Sequence, residues 1–151
     1  QIMQARGPKL TRPRLQVVIN RRYSEGQSQS LRAGLSVVRR AFSAAMFLLG
    51  DQPGLRSATI DHLLECFWNS RKSICVPVCR GIRGNPTIFA RSMYCKLMAI
   101  EGDAGARNII HDNPQWVLNV ELDEPQCFKD IDVYADYEEF KRILADRSSA
   151  Q

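Results

Sequence analysis

Apolar residues along this chain fall into short runs that switch between two spacings, and the switching predicts strands separated by helices. Residues 15–20 (LQVVIN) are β-like, and residues 28–41 form an amphipathic stretch with Leu31, Leu35, Val38 and Phe42 at helical spacing. Residues 42–49 (FSAAMFLL) are too few to span a membrane and suit a strand buried on both faces of a parallel sheet. A helix follows over residues 57–68, with Leu63, Leu64, Phe67 and Trp68 as its apolar stripe. Residues 73–79 (SICVPVC) predict a strand that Pro77 makes edge-like or bulged, and residues 86–89 a shorter one. Two short helical stretches over 92–98 and 104–110 come next. An alternating strand over 116–122 (WVLNVEL), an extended piece over 129–133 and a charged amphipathic helix over 134–147 complete the pattern.

Strands spaced by helices in this way indicate an α/β protein with a mainly parallel sheet flanked by helices. With 151 residues, 44% of them hydrophobic, the chain can bury the core of one domain, and residues 1–14, which include GPKLTRPR, read as a loop or linker. No apolar stretch reaches membrane length and the first residues show no secretory pattern. Cys66, Cys75, Cys79, Cys95 and Cys127 are odd in number and form no C-x-x-C pair, so they read as reduced, mostly packed thiols of a cytoplasmic protein. The charge is uneven: +8 over the first forty residues and −3 over the rest. Aromatic residues scarcely interleave with those cations, which ranks nucleic acid last among partners and leaves a phosphorylated small molecule or a plain solvated face.

Five segments carry candidate chemistry. Asp51, framed by Gly50, Gln52 and Pro53, falls at the end of the predicted apolar strand, where α/β sheets bind ligands. Its carboxylate suits a hard cation bridging to phosphates, or else caps the following helix or orders the turn. In residues 25–34 (EGQSQSLRAG) a turn leads into a helix whose first N–H groups favour anions, unless Ser28 or Ser30 simply caps it. In residues 81–86 (GIRGNP), Arg83 can pair with a phosphate, or the string is a turn between strands. Asp130 and Asp132 alternate in KDID, so either can join Asp51 on a metal, while capping of the last helix by Asp132 is the alternative. GDAGAR, residues 102–107, is phosphate-friendly and also a good helix start; His62 and His111 stand apart from any nucleophile motif, against a hydrolase triad.

In order, SLRAGL, FLLGDQP, RGNP, GDAGAR and DID followed by a helix resemble the molybdenum cofactor cytidylyltransferases and their MobA-like nucleotidyltransferase relatives, over about Val17 to Leu144. The resemblance implies a Rossmann-like, nucleotide-diphospho-sugar transferase-like fold. It also implies transfer of a nucleoside monophosphate from an NTP, with CTP first, onto molybdopterin, with Mg²⁺ or Mn²⁺ as cofactor. Asp51 and Asp132 would be its catalytic carboxylates, with Asp51, Asp130 and Asp132 as the metal set. Ser30, Leu31, Arg32, Ala33 and Gly34 would contact the nucleotide base, with Gly50, Gln52 and Pro53 beside the nucleotide. Arg83, Gly84, Asn85, Gly102, Asp103 and Arg107 would face the pterin acceptor. An apo molybdenum hydroxylase is the protein partner so implied.

The family's opening strand and Gly-rich loop, of the type L-x-A-G-x-S-x-R-M-G followed by lysine, have no counterpart here, position 1 is not Met, and Val133–Tyr134–Ala135–Asp136 stands where T-P-E-D is usual. A fragment or a degenerate member is the expectation, N-terminally incomplete, with weak or absent catalysis alone and self-association through an exposed sheet edge. Two other functions fit the same resemblance. One is a nucleotidyltransferase of another pathway, in guanylyl transfer or in purine or nicotine catabolism. The other is a non-catalytic carrier of the molybdenum cofactor.

Overall fold

The computed structural model describes residues 16–38, 42–102 and 105–148, the last five by their backbone alone. Its elements in chain order are α1 (Gln27–Val38), β1 (Ala44–Phe47), α2 (Ser57–Asn69), β2 (Ile74–Cys79), β3 (Ile82–Arg83) and β4 (Thr87–Ala90). They continue with α3 (Tyr94–Met98), α4 (Arg107–Asp112), β5 (Val117–Glu121) and α5 (Tyr134–Ser148). Strand order is β1-β4-β2-β3, and β5 pairs with β2.

The α/β class and the helix-flanked sheet follow the sequence pattern; the strand directions are mixed. β5 runs parallel to β2, with Ile74 opposite Val117, whereas β1–β4, β2–β4 and β2–β3 are antiparallel. The short links β2–β3 and β3–β4 leave no room for the helical crossover that parallel neighbours require. β2 is the central strand, all six of its residues buried, and not an edge as Pro77 suggested. Pro77 is tolerated because its edge passes there from β4, paired at Ile74 and Cys75, to β3, paired at Val78 and Cys79. Its carbonyl accepts the Gly84 N–H (2.9 Å) on that side, where the missing proline N–H is not needed.

Period-two alternation divides the core between the two faces of the sheet. Ile74, Val76, Phe89 and Val117 pack against Leu35 of α1, Tyr94 and Leu97 of α3 and Ile109 of α4. Cys75, Ile88 and Val120 pack on the other face against Leu63 and Phe67 of α2. β1, expected to be buried on both faces, has four half-buried residues and among the described residues pairs with β4 alone. Residues 16–20 form no strand: Val17 and Ile19 are more than half exposed, because no described strand lies alongside them. All five cysteines are free thiols. Among the described residues no helix is long and apolar enough to cross a membrane.

Residues 124–132 form a strap across the end of the sheet. Glu124 accepts from Arg56 Nη1 (3.3 Å) and Thr59 Oγ1 (3.2 Å) at the start of α2, and from the buried Cys127 thiol (3.2 Å). Two glycines let the strap descend: a Cβ on Gly54 would lie 2.2 Å from the Gln126 carbonyl oxygen, and one on Gly84 1.6 Å from the Phe128 ring. The Ile131 N–H then reaches the Asp51 carbonyl (2.9 Å), and Gln52 Nε2 donates to Asp130 Oδ1 (2.7 Å). Lys129 pairs with Glu139 of α5 at 2.5 Å.

Opposite stability changes are therefore expected at two glycines. Gly84→Ala must displace the Phe128 ring and lose about 1–3 kcal/mol. Gly34→Ala, in mid-helix with open space around its Cβ, gains about 0.5–1 kcal/mol. Urea unfolding of both variants checks this, and movement in the same direction would contradict it. Burial pushes the Cys75 thiol up to about 12, whereas Cys95 is exposed. At pH 8 an alkylating reagent should modify Cys95 in the native protein and Cys75 only after unfolding, as read by mass spectrometry.

Candidate functional site

Beyond β1 the chain leaves the sheet through Leu48 and Leu49, and a cavity of about 600 Å³ opens at this end of the strand. Three separate parts of the sequence close it. Gln27, Ser30 and Leu31 come from the first turns of α1, Arg83, Gly84, Asn85, Thr87 and Phe89 from β3, β4 and their link, and Gly105, Ala106, Arg107 and Ile110 from the start of α4. Phe47 and Phe89, both on the wall, meet edge to face with centroids 5.8 Å apart, which joins β1 to β4 at the cavity floor. Leu31, Phe47, Leu49, Phe89 and Ile110 make an apolar body, Ser30, Asn85 and Thr87 add hydrogen-bonding groups, and Arg83 and Arg107 add positive charge. Such a lining suits a planar ligand with an anionic end. Arg83 is oriented by its Nε, which donates to Asn119 Oδ1 (3.1 Å) and leaves the terminal nitrogens for an anion.

Of the residues expected from the sequence, Ser30, Leu31, Arg83, Gly84, Asn85 and Arg107 meet on this one wall. Arg32, Ala33, Gly34, Gly50, Asp51, Gln52, Pro53 and Gly102 do not line it, and Asp103 lies outside the described residues. Gln52 is buried and turned to Asp130, and Gly34, one turn beyond Ser30 and Leu31 on the same side of α1, has open space around its Cβ position. Sequence reasoning did not single out Gln27, Thr87, Phe89, Gly105, Ala106 and Ile110. The usable signal for Gln27, Gly105 and Ala106 was their place in the candidate segments 25–34 and 102–107; Thr87, Phe89 and Ile110 look like ordinary core residues until the sheet brings them together.

The alternatives to chemistry at the acidic positions resolve differently. Arg56, and not Asp51, is the residue before α2, and no side chain caps that helix. α5 is capped by Asp136, whose Oδ2 accepts the N–H groups of Asp132 (3.0 Å) and Val133 (3.1 Å) and whose carboxyl is held below the usual range by those two bonds. Asp51 and Asp132 are thus exposed carboxylates with no capping duty. Ser28 does not cap either; it is fully buried within α1, its hydroxyl without a partner among the described residues, and its N–H donates to the Gly102 carbonyl (3.2 Å).

A divalent ion fits this arrangement in a restricted way. Among the described residues no three His, Cys, Asp or Glu side chains gather to hold a metal, so Asp51, Asp130 and Asp132 are not a closed ligand set. The bond from Ile131 to Asp51 brings the two acidic segments together, and exposed carboxylates there suit an ion that keeps waters and takes its remaining ligands from phosphate oxygens.

Solved structures share this architecture. The chain resembles the Mycobacterium sp. strain JC1 homologue of Mycobacterium tuberculosis Rv0371c with 25% identity and a TM-score of 0.65, covering 83% of this chain and 60% of that one. Against Rv0371c of M. tuberculosis H37Rv the identity is 26% and the TM-score 0.62, covering 75% of this chain and 58% of that one. Against the manganese complex of Rv0371c these values are 27% and 0.59, covering 73% and 58%. The chain thus spans 58–60% of the length of these relatives. No curated protein sequence matches it. Residues 3–117 match the MobA-like NTP transferase domain, and that match, over most of the chain, makes this protein a member of the MobA-like NTP transferase family.

Proposed function

We propose that the protein is a nucleotidyltransferase that moves CMP from CTP onto the terminal phosphate of molybdopterin. A terminal phosphate oxygen of the acceptor attacks the α-phosphorus of CTP. The new P–O bond forms as the bond to the β-phosphate oxygen breaks, and pyrophosphate leaves with the electron pair. The observation that carries the reading is the meeting of Ser30 and Leu31 with Arg83, Asn85 and Arg107 on one cavity wall, beside the chain that leads to Asp51. Membership of an NTP transferase family supports the reaction class.

Each group has a physical task in this reading. Leu31, Phe47 and Phe89 shield a planar ring from water, and Ser30 and Asn85 offer it directional hydrogen bonds. Arg83 and Arg107 draw phosphate into the cavity and offset its charge as the two phosphates approach. Asp51 and Asp132 would hold Mg²⁺, or Mn²⁺ as in the solved complex of the Rv0371c relative, and the bound ion supplies charge neutralisation on the transferring and leaving phosphates. No side-chain nucleophile is required, because the acceptor phosphate is already ionised at neutral pH.

Calorimetry with Mg²⁺ and CTP tests the reading. Asp51→Ala should weaken Mg²⁺-dependent CTP binding at least about ten-fold, or 1.4 kcal/mol. Preference for GTP would move the assignment to guanylyl transfer, and binding of molybdopterin without any nucleotide would favour a carrier.

Among the described residues the edge of β1 away from β4 has no partner strand, and on it we propose, second, that copies of the chain associate there. Phe42 and Leu48, flanking β1, are 57% and 51% exposed, and residues 42–49 carry no charge to discourage pairing. Light scattering at micromolar concentration should show species above 17.1 kDa, and a clean monomer would contradict the proposal.

A further inference from the structure

Gln52 is the least expected polar side chain in the core. It is 9% exposed, next to an exposed aspartate, and absent from the cavity wall where a nucleotide contact belongs. Its carboxamide Nε2 lies 2.7 Å from Asp130 Oδ1. An ionised carboxylate only accepts, so the amide must turn its NH₂ to Asp130, which fixes its orientation and makes a short, charge-assisted bond. One residue on, the Ile131 N–H donates to the Asp51 carbonyl at 2.9 Å. Residues 51–52 and 130–131 are therefore cross-linked twice, once through the main chain and once through side chains, the side-chain bond spanning 78 positions of sequence.

The other flank is fixed as well. The N–H groups of Asp132 and Val133 are both taken by Asp136 Oδ2. The backbone of Asp132 is thus pinned from both sides, while its carboxylate makes no hydrogen bond or ion pair among the described residues. Asp130 differs in having one oxygen already committed to Gln52.

We infer that Gln52 and Asp130 are a positioning pair. Their hydrogen bond latches the strap to the Asp51 turn and presents the carboxylates of Asp51 and Asp132, with Asp130 acting through Gln52 and not as a ligand, to a divalent ion bridging to the nucleotide phosphates. The inference rests on the metal-dependent reading under Proposed function. It differs from that reading in assigning the two acidic positions of KDID opposite tasks, and it removes Gln52 from the nucleotide contacts.

Two readouts on the 151-residue chain test it, one of which needs no metal. The first is amide hydrogen exchange at Ile131 in the metal-free protein. Protection should fall about ten-fold in Gln52→Ala and in Gln52→Glu, the latter facing two carboxylates. It should persist in Asp130→Asn, whose side-chain carbonyl still accepts. It should return in the double variant Gln52→Glu/Asp130→Asn, where the new amide donates to the new carboxylate. The second readout is Mn²⁺ affinity in the presence of CTP, followed by electron paramagnetic resonance. Affinity should fall about ten-fold in Gln52→Ala and in Asp132→Asn, change less than about three-fold in Asp130→Asn, and recover in the double variant relative to Gln52→Glu.

Unchanged exchange in both single Gln52 variants would overturn the latch itself. Altered exchange with unaltered Mn²⁺ affinity would reduce the pair to a structural contact and overturn its positioning role. Loss of affinity in Asp130→Asn as large as in Asp132→Asn would make Asp130 a ligand and overturn the assignment. If the unaltered protein binds no Mn²⁺ with CTP, the metal reading fails and the positioning role with it, and the exchange data alone then state whether the latch exists.

Discussion

Everything that makes this end of the sheet usable depends on one close approach, the descent of residues 124–132 onto Gly54 and Gly84. Without a Cβ at either position, the Gln126 carbonyl and the Phe128 ring come nearer to the backbone than any side chain would permit. The contact fixes the turn after β1 to the link before β4, and it brings an acidic segment from late in the sequence to the Asp51 turn. Glu124 secures the near end of the strap at the start of α2, and Asp136 secures the far end at the start of α5. Loops joined at several points resist small displacements, as the site proposed for two charged substrates would require.

The division of labour around this junction is chemical as well as geometric. The cavity wall is apolar with two arginines, and two residues beyond Leu49 of that wall the chain reaches the Asp51 turn, to which the strap brings Asp130 and Asp132. Anionic phosphates would therefore meet cations on one side and, on the other, acids that need an ion between them and the phosphate. A bridging divalent ion is the physical resolution of that repulsion. This is why a site in which no three ligands cluster among the described residues remains compatible with metal-dependent chemistry.

Much of the architecture was legible in the residues because it depends on local periodicity. Of the predicted stripe Leu63, Leu64, Phe67 and Trp68, Leu63 and Phe67 form the buried face of α2 while Trp68 is exposed, and the strand over 116–122 appears as β5 with Val117 and Val120 turned to opposite cores. Three features depended on distant neighbours and were not legible. Pro77 marks an edge in most sheets, yet here it occupies the gap between two partners of a central strand. The apolar residues 16–20 have strand composition but no described strand to pair with. The parallel directions suggested by strand–helix alternation fail where β2, β3 and β4 follow one another with only short turns.

The candidate site divides along the same line. Arg83, Asn85 and Arg107 could be named because arginine and turn residues advertise themselves, and Asp51 because a charge ends an apolar run. Phe89 and Thr87 could not, since nothing distinguishes a cavity wall from a core before β4 is placed beside β1. The central claim is that cavity and acidic turn form one site, and paramagnetic broadening of amide signals by Mn²⁺ with CTP tests it most directly. The account predicts selective broadening of residues 47–52, 83–85 and 130–133 together. Broadening confined to another surface, or spread evenly over the molecule, would contradict it.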